Sequence, residues 1–80
     1  MNLTLILFGI TKEIIGEHRL SYQIPSSMDV KGLKQSLQED YPELGRLASL
    51  AIAVNGCYAK DDHPIKKSDE IVLIPPVSGG

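Results

Sequence analysis

The sequence predicts an α+β fold, a mixed sheet with one main helix packed across it, and three observations carry that reading. Two apolar runs, LTLILF at 3–8 and IVLI at 71–74, stand near opposite ends of the chain. Such runs suit strands covered on both faces, which places them at the centre of a sheet. Between them Val30, Leu33 and Leu37 recur at the spacing of one helical face. Asn55-Gly56 then separates two short strand-prone stretches and is a hairpin signal, because a type I′ turn needs positive φ at both central residues.

The elements follow in order. After the first strand, GITKEIIGEH has two glycines around TKEII and reads as a loop with at most one helical turn. Residues 19–24, RLSYQI, alternate, with Leu20, Tyr22 and Ile24 on one side, and pair antiparallel with the first strand. Pro25 stops that strand. In PSSMDV, Asp29 or Ser27 supplies a cap for the helix. Gly32 inside it costs roughly 1 kcal/mol against Ala. Pro42 disfavours helical geometry at Tyr41, so the helix ends near Asp40. PELGRLASL reads as a second short helical piece or an irregular link. AIAVN and CYA form the hairpin arms, and KDDHPIKKSDE is a polar connection with one apolar peg, Ile65. With the first and last strands side by side, this order gives a β-grasp (ubiquitin-like) arrangement. A ferredoxin-like split unit needs a second substantial helix. The domain spans 1–74, and 75–80 is an extended functional tail.

Composition narrows the function. The chain has 80 residues, 42% hydrophobic and 22% charged, which excludes global disorder. Net charge is −2 without a basic stripe or aromatic platform, which argues against nucleic acid. Cys57 is the single cysteine, so no internal disulfide forms and a reducing, cytoplasmic setting is expected. The apolar start lacks a basic n-region and a small-residue cleavage site. No stretch reaches the ~20 apolar residues of a membrane span.

Most candidate chemistry falls to a plainer reading. Cys57 has no His or Asn at a recognised family spacing and reads as a small hydrophobe. His18 and His63 lack the cysteine partners of a zinc pattern, so no metal site is assigned. Asp62-His63-Pro64 reads as a turn capped through its carboxylate. Lys31, Lys34, Lys66 and Lys67 read as solvated faces. Gly9/Gly16 and Gly79-Gly80 match no phosphate-cradle motif, so the chain binds no cofactor itself and any ATP chemistry belongs to a partner.

The ending IPPVSGG remains. Pro75-Pro76 extends the chain as it leaves the last strand. At ~3.3 Å per residue, residues 75–80 reach on the order of 20 Å. Gly79 and Gly80 have no side chains and fit a narrow channel. A stiff stem with a thin tip suits delivery of the Gly80 carboxylate into another protein.

These residues also carry a resemblance. AVN at 53–55, DHPI at 62–65, SDEI at 68–71 and PPVSGG at 75–80, with FGITKEIIG at 8–16 and the VxxLxxxL helix, resemble the small, sulfur-carrying subunits of molybdopterin synthase over essentially the whole chain. Many members carry Arg at Lys12, an aromatic pair at Leu73-Ile74 and an aliphatic residue at Tyr58. The resemblance implies a sulfur carrier with no enzymatic activity of its own. An E1-type partner uses ATP to adenylate Gly80, sulfur replaces AMP, and the resulting thiocarboxylate donates sulfur to cyclic pyranopterin monophosphate. The sulfur acceptor sits in a large catalytic subunit, with which the carrier forms a heterotetramer. Gly80, with Gly79, then carries the chemistry. Tyr58, Leu73, Ile74, Pro75, Pro76, Val77 and Ser78 contact partners. The alternatives are a related carrier for thiazole or tRNA thiolation, and a non-covalent β-grasp interaction module.

Overall fold

The computed structural model describes residues 1–25, 27–47 and 50–75. Its main sheet has five strands, and the register explains their order. β1 (Asn2–Leu7) and β2 (Arg19–Gln23) pair antiparallel, with Leu3 opposite Tyr22 and Leu5 opposite Leu20. β3 (Met28–Asp29) leaves this sheet and precedes α2 (Val30–Asp40). β4 (Ala51–Val54) and β5 (Cys57–Tyr58) form the hairpin, β6 (Pro64–Ile65) pairs with β3, and β7 (Glu70–Ile74) returns to the centre. β7 lies parallel to β1, Leu7 beside Leu73, and antiparallel to β4, Ile52 opposite Leu73. The order is β2-β1-β7-β4-β5, so the first and last long strands are neighbours, as the sequence predicts.

Local chemistry sets the helix ends. Asp29 Oδ1 accepts from the Gly32 amide at 2.8 Å, the N-cap bond that satisfies one of the free first-turn donors. A Cβ on Gly32 would stand 3.3 Å from that same oxygen, so the propensity lost at this glycine leaves room for the cap. Two more first-turn amides donate to loop carbonyls, Val30 to His63 at 3.0 Å and Lys31 to Asp61 at 2.9 Å. The Asp62-His63-Pro64 turn therefore works through main-chain oxygens rather than the expected carboxylate. His63 N–H closes it by donating to the Lys60 carbonyl. The helix ends at Asp40, and Pro42–Arg46 forms a 3-10 turn. Asn55 and Gly56 have φ of 52° and 85°, the type I′ signature.

Two expectations are corrected. GITKEII is a helix, α1 (Gly9–Ile15), rather than a loop. Thr11 Oγ1 accepts from the Phe8 amide at 3.1 Å and donates to the Phe8 carbonyl at 2.6 Å, which ties the first turn. Gly16, at φ 89°, closes the last turn by donating to the Lys12 carbonyl at 2.7 Å. The two glycines bound a helix instead of breaking one.

The second correction concerns cover. β1 and β7 alternate in burial, so neither is covered on both faces. Leu3, Leu5, Leu7, Ile71 and Leu73 point to the core with Tyr22, Ile52 and Val54. Val30, Leu33 and Leu37 of α2, with Leu44, Leu50 and Ile65, complete that one cluster. The opposite residues, Thr4, Ile6, Val72 and Ile74, are exposed or half-buried. Among the described residues a single main helix covers one face of the sheet and leaves the other open. Ile65, the expected peg, is buried at 3% exposure.

Candidate functional site

The open face is built by register. Ile6 lies beside Val72, Val72 beside Ala53, and Ala53 beside Tyr58. Alternate residues of a strand share a face, so these four side chains form one row. With Arg19 at its β2 end, opposite Ile6, the row crosses five strands. At ~4.8 Å between strands it spans about 19 Å.

A second row lies closer to the end of β7. Ile74 pairs with Ala51 on the same face. Phe8 keeps extended geometry, φ −131° and ψ 156°, and so continues the alternation from Ile6 onto that face. Phe8, Ile10 and Tyr58 are 49%, 41% and 75% exposed, an unusual outlay of large apolar side chains for a domain of this size. Ile6, Phe8, Ile10 and Val72 were missed by sequence reasoning. Ile6 and Phe8 sit inside an apolar run whose two faces look alike, and Ile10 was assigned to a loop.

Pro75 follows directly on this second row. Because β7 is paired on both sides through Leu73, the root of the tail is held by β1 and β4 at once. The β1–α1 corner reaches it too: a Cβ at Gly9 would stand 3.4 Å from Pro75 Cγ. Gly9 has φ 56°, a conformation that glycine adopts without strain.

The expected partner contacts divide accordingly. Ile74 and Pro75 sit at the tail root, and Tyr58 lies on the same open face at the sheet edge, with β4 between it and β7. Leu73 does not, because at 0% exposure its side chain points into the core and offers nothing to a partner. Strand alternation requires this once Ile74 faces outward. Pro76, Val77, Ser78, Gly79 and Gly80 lie outside the described residues. Cys57 is exposed rather than buried, at the hairpin edge.

Titratable groups with displaced pKa values sit elsewhere. Burial first, and then its hydrogen bond to Asp40, push the Tyr22 hydroxyl above its ordinary range. That hydroxyl also meets Ser36 Oγ at 2.6 Å and so ties β2 to α2. The Lys66 amide, and after it the Asn55 side chain, hold the Asp69 carboxyl below its ordinary range. This second network, in which Asn55 also accepts from the Glu70 amide at 2.9 Å, lies at the start of β7, opposite the tail root. Among the described residues no three His, Cys, Asp or Glu side chains gather as metal ligands. What the root offers is an anchored strand end beside an apolar platform.

A mixed sheet with one helix across it and its central last strand running out beside an open apolar face defines a ubiquitin-like β-grasp protein. The model of the ThiS family matches residues 5–80. A molybdopterin synthase sulfur carrier subunit from Dictyostelium discoideum is 35% identical over 95% of this chain and 93% of its own length. The chain belongs to the ThiS family. Among solved structures, a putative molybdopterin converting factor subunit 1 from Pyrococcus furiosus matches with TM-score 0.85 over 96% of this chain and 99% of that one. Its 21% identity makes that a likeness of fold. A protein–protein complex of subunits 1 and 2 of the molybdopterin-converting factor from Helicobacter pylori contains a chain 32% identical to this one. That match has a TM-score of 0.65 and covers 100% of both chains.

Proposed function

We propose that this chain is the sulfur carrier subunit of a molybdopterin synthase and that Gly80 carries the sulfur. The observation that supports this best is the position of Pro75. It continues a central strand at the edge of the open apolar face, so the described chain ends at a fixed point beside a docking surface. The naming of the curated relatives favours the molybdopterin route over thiazole or tRNA thiolation and over a passive module.

The chemistry follows from what a carboxylate lacks. It is a poor electrophile, so an E1-type partner first joins the Gly80 carboxylate to the α-phosphorus of ATP and releases pyrophosphate. A persulfide then attacks the acyl carbon and AMP leaves. A second thiol frees the thiocarboxylate and forms a disulfide with the donor. In the second subunit, with which the carrier forms a heterotetramer, the terminal sulfur forms a bond to a carbon of cyclic pyranopterin monophosphate as the oxygen substituent on that carbon leaves. Water then cleaves the acyl–sulfur bond and restores the carboxylate, and two such transfers supply a dithiolene. Two consecutive prolines at 75 and 76 favour an extended stem, and glycines at 79 and 80 have no side chain to keep a closed pocket from the backbone. Tyr58 and Ile74, with Phe8 and Val72 from the open face, meet the partner.

The test is intact-mass analysis after incubation with an activating enzyme, ATP and a sulfur donor. The expected result is oxygen-to-sulfur exchange confined to the C-terminal residue, and none in a variant with one residue added after Gly80. Sulfur transfer by the untrimmed, extended variant refutes the assignment.

A further inference from the structure

Phe8 stands at the corner of the open face nearest the tail root, and a residue from outside that face holds it there. His18 lies in the link between α1 and β2. Its Nδ1 is 2.9 Å from the Leu7 carbonyl oxygen. A carbonyl only accepts, so Nδ1 carries the proton. The backbone ties the same pair, as the Leu7 amide donates to the His18 carbonyl at 2.8 Å. Held in this way, the imidazole meets the Phe8 ring edge-on, with centroids 5.2 Å apart and planes 75° apart. In that arrangement the positive edge of one ring faces the negative face of the other. An exposed aromatic side chain loses rotamer freedom when a partner covers it, and a neighbour that fixes it beforehand lowers that cost.

We propose that His18 is a positioning residue for docking: hydrogen-bonded to Leu7, it holds Phe8 as a preset apolar anchor for the second synthase subunit. The inference rests on the functional reading above and adds a residue to it. Phe8 follows β1, whose last residue pairs with Leu73 of β7, so an anchor there also fixes where the tail enters the partner. If His18 only served the Leu7 carbonyl, its loss would affect binding equally with and without the Phe8 ring.

The experiment is calorimetric titration of the full chain into the second subunit from the same organism. It uses the wild-type chain, His18→Ala, Phe8→Ala, the double variant and His18→Phe, which keeps an aromatic edge and drops the Nδ1 proton. His18→Ala is expected to weaken binding roughly three- to tenfold. That effect should vanish in the Phe8→Ala background, and His18→Phe should recover part of it. Urea unfolding of the same proteins reports any stability lost with the hydrogen bond, and it should not track the binding series. Equal weakening with and without Phe8, or no weakening at all, overturns the positioning role and leaves the functional reading intact. A wild-type chain that does not bind the second subunit overturns both.

Discussion

Replacing Tyr58 by Ala should separate docking from folding. Tyr58 is 75% exposed on β5, a two-residue strand at the edge of the sheet. A buried tyrosine hides ~150–250 Å². Covering the three quarters that remain open removes about 110–190 Å² from water, worth at most ~3–5 kcal/mol at ~25 cal/mol per Å². Ordering costs at an interface leave part of this, about 1.5–3 kcal/mol. Tyr58→Ala should therefore weaken binding to the second subunit by about 10- to 150-fold. The free chain loses little, because an exposed edge substitution changes stability by only about 0.5 kcal/mol. Titration calorimetry reads the first quantity and urea unfolding the second. Binding within twofold of wild type would refute the assignment of this face. A stability loss as large as the binding loss would show that Tyr58 supports the fold instead.

Other consequences concern the body that carries the tail. Asp29→Ala removes the acceptor for the Gly32 amide and should cost about 1 kcal/mol in urea unfolding; an unchanged midpoint would mean that the loop carbonyls suffice. The Tyr22 pKa is raised in the fold above the ordinary tyrosine value of 10.0. Its contribution is thus complete below pH 10 and lost as pH rises through 10 toward the folded value. Stability measured across that window should fall for wild type and fall less for Tyr22→Phe. Asp69 has the opposite sign, because its folded pKa lies below the ordinary aspartate value of 3.8. Its contribution is present above that pH and lost as pH falls through the folded pKa. Asp69→Asn should flatten that acid limb, and an identical limb in both proteins would contradict the network described at the start of β7.

Much of the fold was legible because its signals are local. The Asn55-Gly56 turn, the Asp29 cap and the Val30, Leu33 and Leu37 face each depend on residues within a few positions of one another. The central, side-by-side placement of β1 and β7 was also legible, since only those two runs were continuously apolar; their parallel direction came from the structure. The candidate site was half legible. Prolines and glycines marked the tail, but neither the inward side chain of Leu73 nor the exposure of Phe8 was marked. Both have one origin: an apolar run at 3–8 or 71–74 does not say which of its two faces has a cover.

The sequence by itself determined the strands of the main sheet, the main helix and its cap, and the hairpin turn, all through dihedral preference and spacing. Tertiary structure alone decided that α1 forms against the β1 corner, that β3 finds β6 across 35 or more residues, and that Leu73 points inward while Ile74 points out. The reason is geometric. A strand exposes alternate side chains to opposite sides, and whether the second side meets a helix or remains open depends on how many layers the chain can supply. With one main helix it supplies one cover, and the uncovered side becomes the platform beside Pro75.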